Sequence, residues 1–328
     1  MTSGGGYRRA VPTGPVDHPP VEAARGGAAA VVLDGAAWRA RAAAHRERVE
    51  RWTLPHRERR RRGRAHPVLD FLFTYYSHRP AQLERWHPGP GFALRDADAF
   101  LDVPGYVRRP DGTVALDPSA LPDRHRATAA FVRALLAATA ARPARLSCFG
   151  LHEWAMVYRA GQDGDAPRHP VPLRLGAAGT DAVVESLPVH CTHHDAYRFF
   201  TAPARTRNAV TPTRADQLAL EQPGCLHATM DLYQWAYKLS PATPGELLAD
   251  CLALATDVRA LDMRASPYDL ADLGYPPVRI ETAAGRAEYA RAQAAFARRA
   301  APLRDRLTGL CDTLLAADAG SAASRTAD

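Results

Sequence analysis

The sequence predicts a mainly α protein, a single multi-helix globular domain with a small β element. Three observations carry this. Alanine-rich stretches without strand-like alternation fill residues 124–141, 247–261 and 283–317. Residues 221–241 (EQPGCLHATMDLYQWAYKLSP) open on a Pro-Gly turn and run as one helix-forming segment to Pro241. Turn chemistry with short alternation is confined to residues 105–119 and 171–189.

In chain order, residues 1–30 are rich in Gly, Pro and Ala without apolar periodicity, which predicts a disordered leader. A helix is expected from Asp34 to about Arg64, ending in the basic run RERRRRGR at residues 57–64. Such a run is either a solvated helix end or a phosphate-contact patch. Residues 66–86 form the most aromatic stretch, and the four-residue spacings Phe71/Tyr75 and Leu72/Tyr76 predict a helix with a broad apolar face. His66 and Asp70, also four apart, could pair on it. WHPGPGFAL makes a turn, and residues 105–119 read as a hairpin around Asp111-Gly112. Residues 146–159 read as a helix carrying His152 and Glu153, and residues 171–189 as two short strands. Residues 247–261 and 283–317 are helical, and a tail follows from 318 to 328. The ordered domain is therefore expected over 31–317.

The 328 residues can bury a large core, and 46% hydrophobic with 23% charged residues is ordinary for a soluble protein. A net charge of +7 favours phosphate-bearing or acidic partners. Five widely spaced cysteines without a CxxC pair predict reduced core thiols rather than a disulfide framework. No signal-like or membrane-length apolar run occurs, so a cytoplasmic protein without membrane contact is expected. P-loop, G-x-G-x-x-G and G-x-S-x-G patterns are absent, so no nucleotide cofactor is expected.

Three segments concentrate titratable groups among aromatics. In residues 221–241 the helical repeat places His227, Asp231, Gln234 and Lys238 in one narrow stripe. Leu226, Met230, Tyr233 and Tyr237 flank it on one side, and Ala228, Trp235 and Leu239 on the other. A polar seam between two apolar walls predicts a largely buried helix. Lys238 is the only lysine in the chain, and a buried ammonium there would need Asp231 or His227 as partner. The second segment is His152-Glu153. It resembles the start of a zinc-protease helix, but Met156 stands where the second His belongs. The third is HCTHHDAYRFF, with His190, His193, His194 and Asp195. His193-x-Asp195 has the spacing of two members of an iron facial triad, and His227 could be the third. Otherwise Asp195 caps a short helix.

Several phrases occur together: HPVLDFLFTYYSHRPAQLERWHPG, GLHEWAMVYR, GTDAVVES, HCTHHDAYRFF, EQPGCLHATMDLYQWAYKLSP and LDMRASPYDL. In these the chain resembles an actinobacterial family commonly labelled 3-methyladenine DNA glycosylase, over about residues 32–310. The resemblance implies hydrolysis of the N-glycosidic bond of an alkylated purine in DNA, with DNA met by the Arg-rich surface. Such chemistry needs aromatic faces for a cationic base, for which Trp154, Tyr158, Trp235, Tyr197 and Tyr75 are candidates beside His152. It also needs a carboxylate, for which Asp231 or Asp195 could serve, Asp231 being the first choice with Lys238, His227 and Glu153 around it. No helix-hairpin-helix motif of the L-P-G-(V/I)-G kind is present. The expectation is a glycosylase without cofactor. The alternatives are an iron- or zinc-dependent enzyme acting on a small molecule through His193, Asp195 and His227, and a non-catalytic helical DNA- or ligand-binding module.

Overall fold

The computed structural model describes residues 30–160 and 171–325. The expected leader lies outside them except for Ala30. Helices dominate, with one four-stranded mixed sheet. Strand β1 (Val31–Leu33) leads into α1 (Gly35–Arg61), followed by the short helices α2 (Phe71–Thr74) and α3 (Pro80–Leu83). Next come β2 (Phe92–Leu94), β3 (Tyr106–Arg108), β4 (Val114–Leu116) and α4 (Asp123–Ala140). The second half holds α5 (Leu151–Ala155), α6 (Gly176–Ser186), α7 (His194–Tyr197), α8 (Ala202–Arg205) and α9 (Gln217–Leu220). It ends with α10 (Leu226–Lys238), α11 (Gly245–Arg264) and α12 (Ala283–Arg325).

Asp34 caps α1, its carboxylate accepting from the Ala37 N–H at 2.7 Å. The helix is bound to α11 by Arg41–Glu246 and Arg48–Asp250, both 2.8 Å. Within the arginine run the side chains divide. Arg57 pairs with Glu84 and Arg59 with Asp70, while Arg60, Arg61, Arg62 and Arg64 are exposed. The aromatic stretch after it is two short helices rather than one. Ser77 (φ +55°) breaks the run and Pro80 restarts it. Asp70 does not meet the His66 ring. It takes the His66 backbone N–H (2.8 Å) together with His56 and Arg59 from α1.

The sheet order is β1-β2-β4-β3, with β1 parallel to β2 and the other pairs antiparallel. The β3–β4 hairpin forms as expected. Asp111 accepts from the Thr113 N–H and hydroxyl, and Gly112 supplies φ +80°. Strands β1 and β2 are a departure, since three residues each are too few for a visible alternation. Two other expectations fail. Residues 171–189 contain helix α6, in which Thr180, Val183 and Val184 form a buried face at helical spacing; Gly176 and Gly179 in its first turn suggested strand ends instead. Residues 146–159 hold only the five-residue α5. Gly150 precedes it at φ +74°, where an added Cβ would lie 3.3 Å from both Ala265 and Tyr289.

Helices α10 and α11 form the centre of the molecule, with α12 and α4 packed around them. One large core runs through all four, with a small satellite around Val68, Met263 and Tyr268. Antiparallel ion pairs tie α12 to α11, Arg299–Asp257 at 2.6 Å and Arg306–Asp250 at 2.8 Å. Gln293 of α12 is buried and donates to the Gly224 carbonyl at 2.5 Å, bracing the turn before α10. Helix α12 continues to Arg325, through most of the stretch expected as a tail. Among the described residues no helix is long and apolar enough to cross a membrane.

Candidate functional site

Buried carboxylates and imidazoles converge where α5, α10, α11 and the loop before α7 meet. Helix α10 is buried from Leu226 to Ala236 except at Gln234, so His227 and Asp231, one turn apart, both point into the interior. The loop before α7 is held by Asn208, whose amide accepts from the Cys191 N–H and donates to the Cys191 carbonyl, both at 2.8 Å. His193 is thereby turned inward, with 3% of it exposed, while His190 stays in solvent. Every residue of α5 is buried, including His152 and Glu153. Helix α11 adds Arg259 and Asp262, and the turn after α9 adds Glu221.

These groups sort into two sets. In the first, His193 Nε2 lies 3.0 Å from Asp231 Oδ2 and 3.6 Å from Glu221 Oε1. The Tyr76 hydroxyl donates to Asp231 Oδ1 at 2.6 Å, and the Gln217 amide to Glu221 Oε1 at 2.6 Å. His193 Nδ1 is buried without a partner among the described residues. In the second, His152 Nε2 is 2.8 Å from Asp262 Oδ1, and Arg259 Nη1 donates to Asp262 Oδ2 and Glu153 Oε1 at 2.8 Å each. Cys148 Sγ lies 3.5 Å from His152 Nδ1. His227 joins the sets, edge-on to the His152 ring at 4.6 Å and stacked on the His193 ring at 5.2 Å. Each of the triads His193/Glu221/Asp231 and His152/His227/Asp262 gathers its ligand atoms within 4.8 Å.

Charge follows from these contacts. Burial pushes the Glu221 carboxyl up to about 7, and the Asp231 charge adds to it, against the pull of His193. Burial would also raise Asp262, but His152 and Arg259 outweigh it and hold that carboxyl low. Burial acts to lower His152 and His193, yet Asp262 and Asp231 respectively raise both. Burial, then the charges of His152 and His193, drive His227 well below the ordinary imidazole range.

The interior reaches the surface through a narrow crevice with enclosed room for about one water molecule, whose lining includes Phe71, Tyr75, Phe199, Asp195, Arg259 and His227. A wider groove of about 690 Å³, bordered by Arg145, His190, Thr192 and Gln222, reaches Cys148 from another side.

Asp231, His227, His193, His152 and Glu153 thus come together as expected. Lys238 does not join them. It sits exposed at the last turn of α10 with its ammonium 4.7 Å over the Trp235 ring, and Tyr76 and His193 take the place foreseen for it at Asp231. A long stem at a helix end reaches water more cheaply than it buries a charge. Asp195 lies at the cleft rim, paired with Arg198 (3.2 Å) and His194 (3.5 Å), so His193, Asp195 and His227 do not form one ligand set; Asp231 and Glu221 face His193 instead. Of the candidate aromatics, Tyr75 lines the cleft. Trp154 is wholly buried and donates to the Ala265 carbonyl, and Tyr158 donates to Glu185. Trp235 packs on Phe131 and Tyr197 on Phe200. Sequence reasoning missed Glu221, Arg259 and Asp262 as site residues. For the last two a signal existed, an Arg-x-x-Asp pair inside the apolar helical run ALATDVRALDM.

No family model, curated protein or solved structure matches this chain.

Proposed function

We propose that the protein is a metal-dependent enzyme acting on a small molecule, with a divalent first-row cation such as iron or zinc held by His193 Nε2, Asp231 and Glu221. One observation carries this reading. Two fully buried carboxylates converge on a single ring nitrogen, and among the described residues neither bonds to an Arg or Lys. Negative charge is crowded there: burial and the Asp231 charge push the Glu221 carboxyl up against the pull of His193 and, less strongly, of Arg304; a cation of charge two beside a neutral imidazole would relieve that crowding. The mixed nitrogen and oxygen donors suit iron or zinc. Asp262 differs, because His152 and Arg259 already answer its charge.

The cation would polarise a substrate oxygen or activate a water molecule. The chain's own residues do the rest. Tyr76 fixes Asp231 and Gln217 fixes Glu221, which sets the direction of the remaining lone pairs. His227 stacks on His193 and also lines the cleft, so a molecule entering between Phe71, Tyr75 and Phe199 meets it first. Metal analysis of the purified protein tests the reading. Stoichiometric metal, lost in His193→Ala and Asp231→Asn with helical content retained, is the expected result; a metal-free protein with full activity would end it.

A DNA N-glycosylase is the second reading. It is supported by the sequence resemblance and by the cleft itself, where aromatic rings and the Asp195 carboxylate lie together as a cationic base would require. The cleft is lined by Asp195 and not by Asp231, so Asp195 takes the carboxylate role in this reading. Release of 3-methyladenine from alkylated DNA, insensitive to chelators and lost in Asp195→Asn, would establish it over the metal reading.

A further inference from the structure

We propose that Cys148 is the nucleophile of a second, metal-independent activity, the transfer of an acyl group from a small anionic ester to water through an acyl–sulfur intermediate. This goes beyond the metal reading and does not depend on it.

Among the described residues Cys148 is the one thiol of the five within hydrogen-bond reach of an imidazole, with His152 Nδ1 at 3.5 Å. The other nitrogen of that ring lies 2.8 Å from Asp262 Oδ1, and Arg259 holds Asp262 Oδ2. Nucleophile, base and orienting carboxylate therefore follow one another as nucleophilic catalysis requires. His152 and Asp262 are buried, and of the three only Cys148 lines open space. The backbone makes this possible. Phe149 (φ +47°) and Gly150 (φ +74°) are both left-handed, so the chain reverses directly after Cys148 and brings α5 with His152 in behind it. For Phe149 that conformation is strained. Gln222 pins the loop on the other side, accepting from the Arg145 N–H at 2.9 Å and donating to the Arg145 carbonyl at 3.3 Å.

The groove in front of Cys148 offers about 280 Å³ of room, where the crevice beside Arg259 takes about one water molecule. Its lining contains Arg145 and His190 but neither Asp nor Glu, so an anionic substrate is favoured. Arg145 is exposed, and its guanidinium makes no bond among the described residues. Ala209 and Val210 form an apolar wall for an acyl chain, and the Ser147 and Thr192 hydroxyls stand ready for a carbonyl oxygen that gains charge.

The sulfur adds to the ester carbonyl and the carbon–oxygen bond to the alcohol breaks. The thiol proton passes by way of His152 Nδ1 to the departing oxygen. Water then attacks the acyl carbon, the carbon–sulfur bond breaks, and a proton from the water returns to sulfur by the same route. The products are a carboxylic acid and an alcohol, with no change of oxidation state.

Rapid-mixing release of nitrophenolate from 4-nitrophenyl hydrogen adipate, with 4-nitrophenyl hexanoate as the uncharged comparator, tests this on the full chain before and after removal of metal by a chelator. A burst of about one equivalent per chain is expected in both states, with peptide mass spectrometry placing the adipoyl group on Cys148. The adipate should acylate about fivefold faster than the hexanoate, a preference that Arg145→Gln removes. Cys148→Ser should lose both burst and label, and His152→Gln should slow acylation on the order of 100-fold. If His152→Gln fails to fold, Val210→Trp, which fills the exposed wall of the groove without touching Cys148 or His152, should slow it roughly tenfold. The proposal is overturned if no burst occurs, if the burst survives in Cys148→Ser, or if the label falls on another residue. A burst seen only with metal bound would assign the hydrolysis to the cation and sink this inference while leaving the metal reading intact. A chain that never takes up metal but acylates Cys148 as described would do the reverse.

Discussion

Two buried clusters in this molecule are made of nearly the same side chains and are built to different ends. At the contact of α1 with α2, Asp70 accepts from His56 Nδ1 at 2.8 Å, from Arg59 Nη2 at 2.5 Å and from the His66 backbone N–H at 2.8 Å. One carboxylate faces a guanidinium, an imidazole and an amide, and the His56 ring is stacked on Phe73 at 4.4 Å. At the other cluster two carboxylates, Asp231 and Glu221, face one imidazole. The carboxylates and imidazoles are buried in both, so burial does not separate a rivet from a site. The ratio of anions to cations does.

The comparison breaks most plainly through metal content. Asp231→Asn should weaken metal binding on the order of 100-fold or more, whereas Asp70→Asn should leave the metal content of the purified protein unchanged. Equal losses in both would show that the two clusters do not differ in kind. The next effect is on stability. Free metal at about 100 times its dissociation constant should stabilise the wild type by about 2.7 kcal/mol, read as a rise in Tm, with no rise in Glu221→Gln.

The Asp70 cluster should answer to acid instead. Burial acts to raise its carboxyl, but the bonds from Arg59, His56 and His66 outweigh this and hold it low. A depressed carboxylate contributes stability above its unfolded value, near 4, and loses it as pH falls through the native value. Asp70→Asn should therefore cost about 3 kcal/mol in urea unfolding at pH 7, with the gap from wild type closing below about pH 4. A constant gap would rule out the ion pair as its source. The smallest effect belongs to His78, a buried imidazole that pairs with no carboxylate among the described residues and is stacked on Tyr237 at 3.7 Å. Burial, then the Lys238 charge, bring it down to about 3. It is held neutral, so its contribution is complete above about pH 6.5 and declines as pH falls from there toward 3. His78→Phe keeps the stack and removes this dependence, and should gain about 2 kcal/mol at pH 5 relative to pH 8.

Much of the helical frame can be read directly from the chain. Helices α4, α11 and α12 follow from alanine-rich runs without strand-like alternation, α1 from Asp34 and a run of good helix formers, and α10 from its two apolar walls. The failures have one origin, local signals overruled by distant packing. Gly176 and Gly179 look like strand punctuation, yet α6 forms because Val183 and Val184 have a core to enter. Strand β1 exists only because β2, sixty residues on, lies beside it. In the site, His193, His227 and Asp231 stand out as polar residues in apolar company. Glu221 does not, because it precedes a Pro-Gly turn and looks like a loop residue until the fold closes on it. Lys238 misleads for the opposite reason. Its rarity draws attention, but a position at the end of α10 gives its ammonium a short path to water.

The bond from Gln293 to Gly224 spans 69 positions. The turn it grips has no slack, since a methyl group on Gly224 would lie 2.5 Å from the Arg145 carbonyl oxygen. Glu221 and His227 flank that turn, so the C-terminal helix, which also packs on α10, acts as a splint for both. A lesion in the splint would imitate an inactivating change at the reaction centre, and a chain cut short of Gln293 would look dead while every one of its ligands was still present.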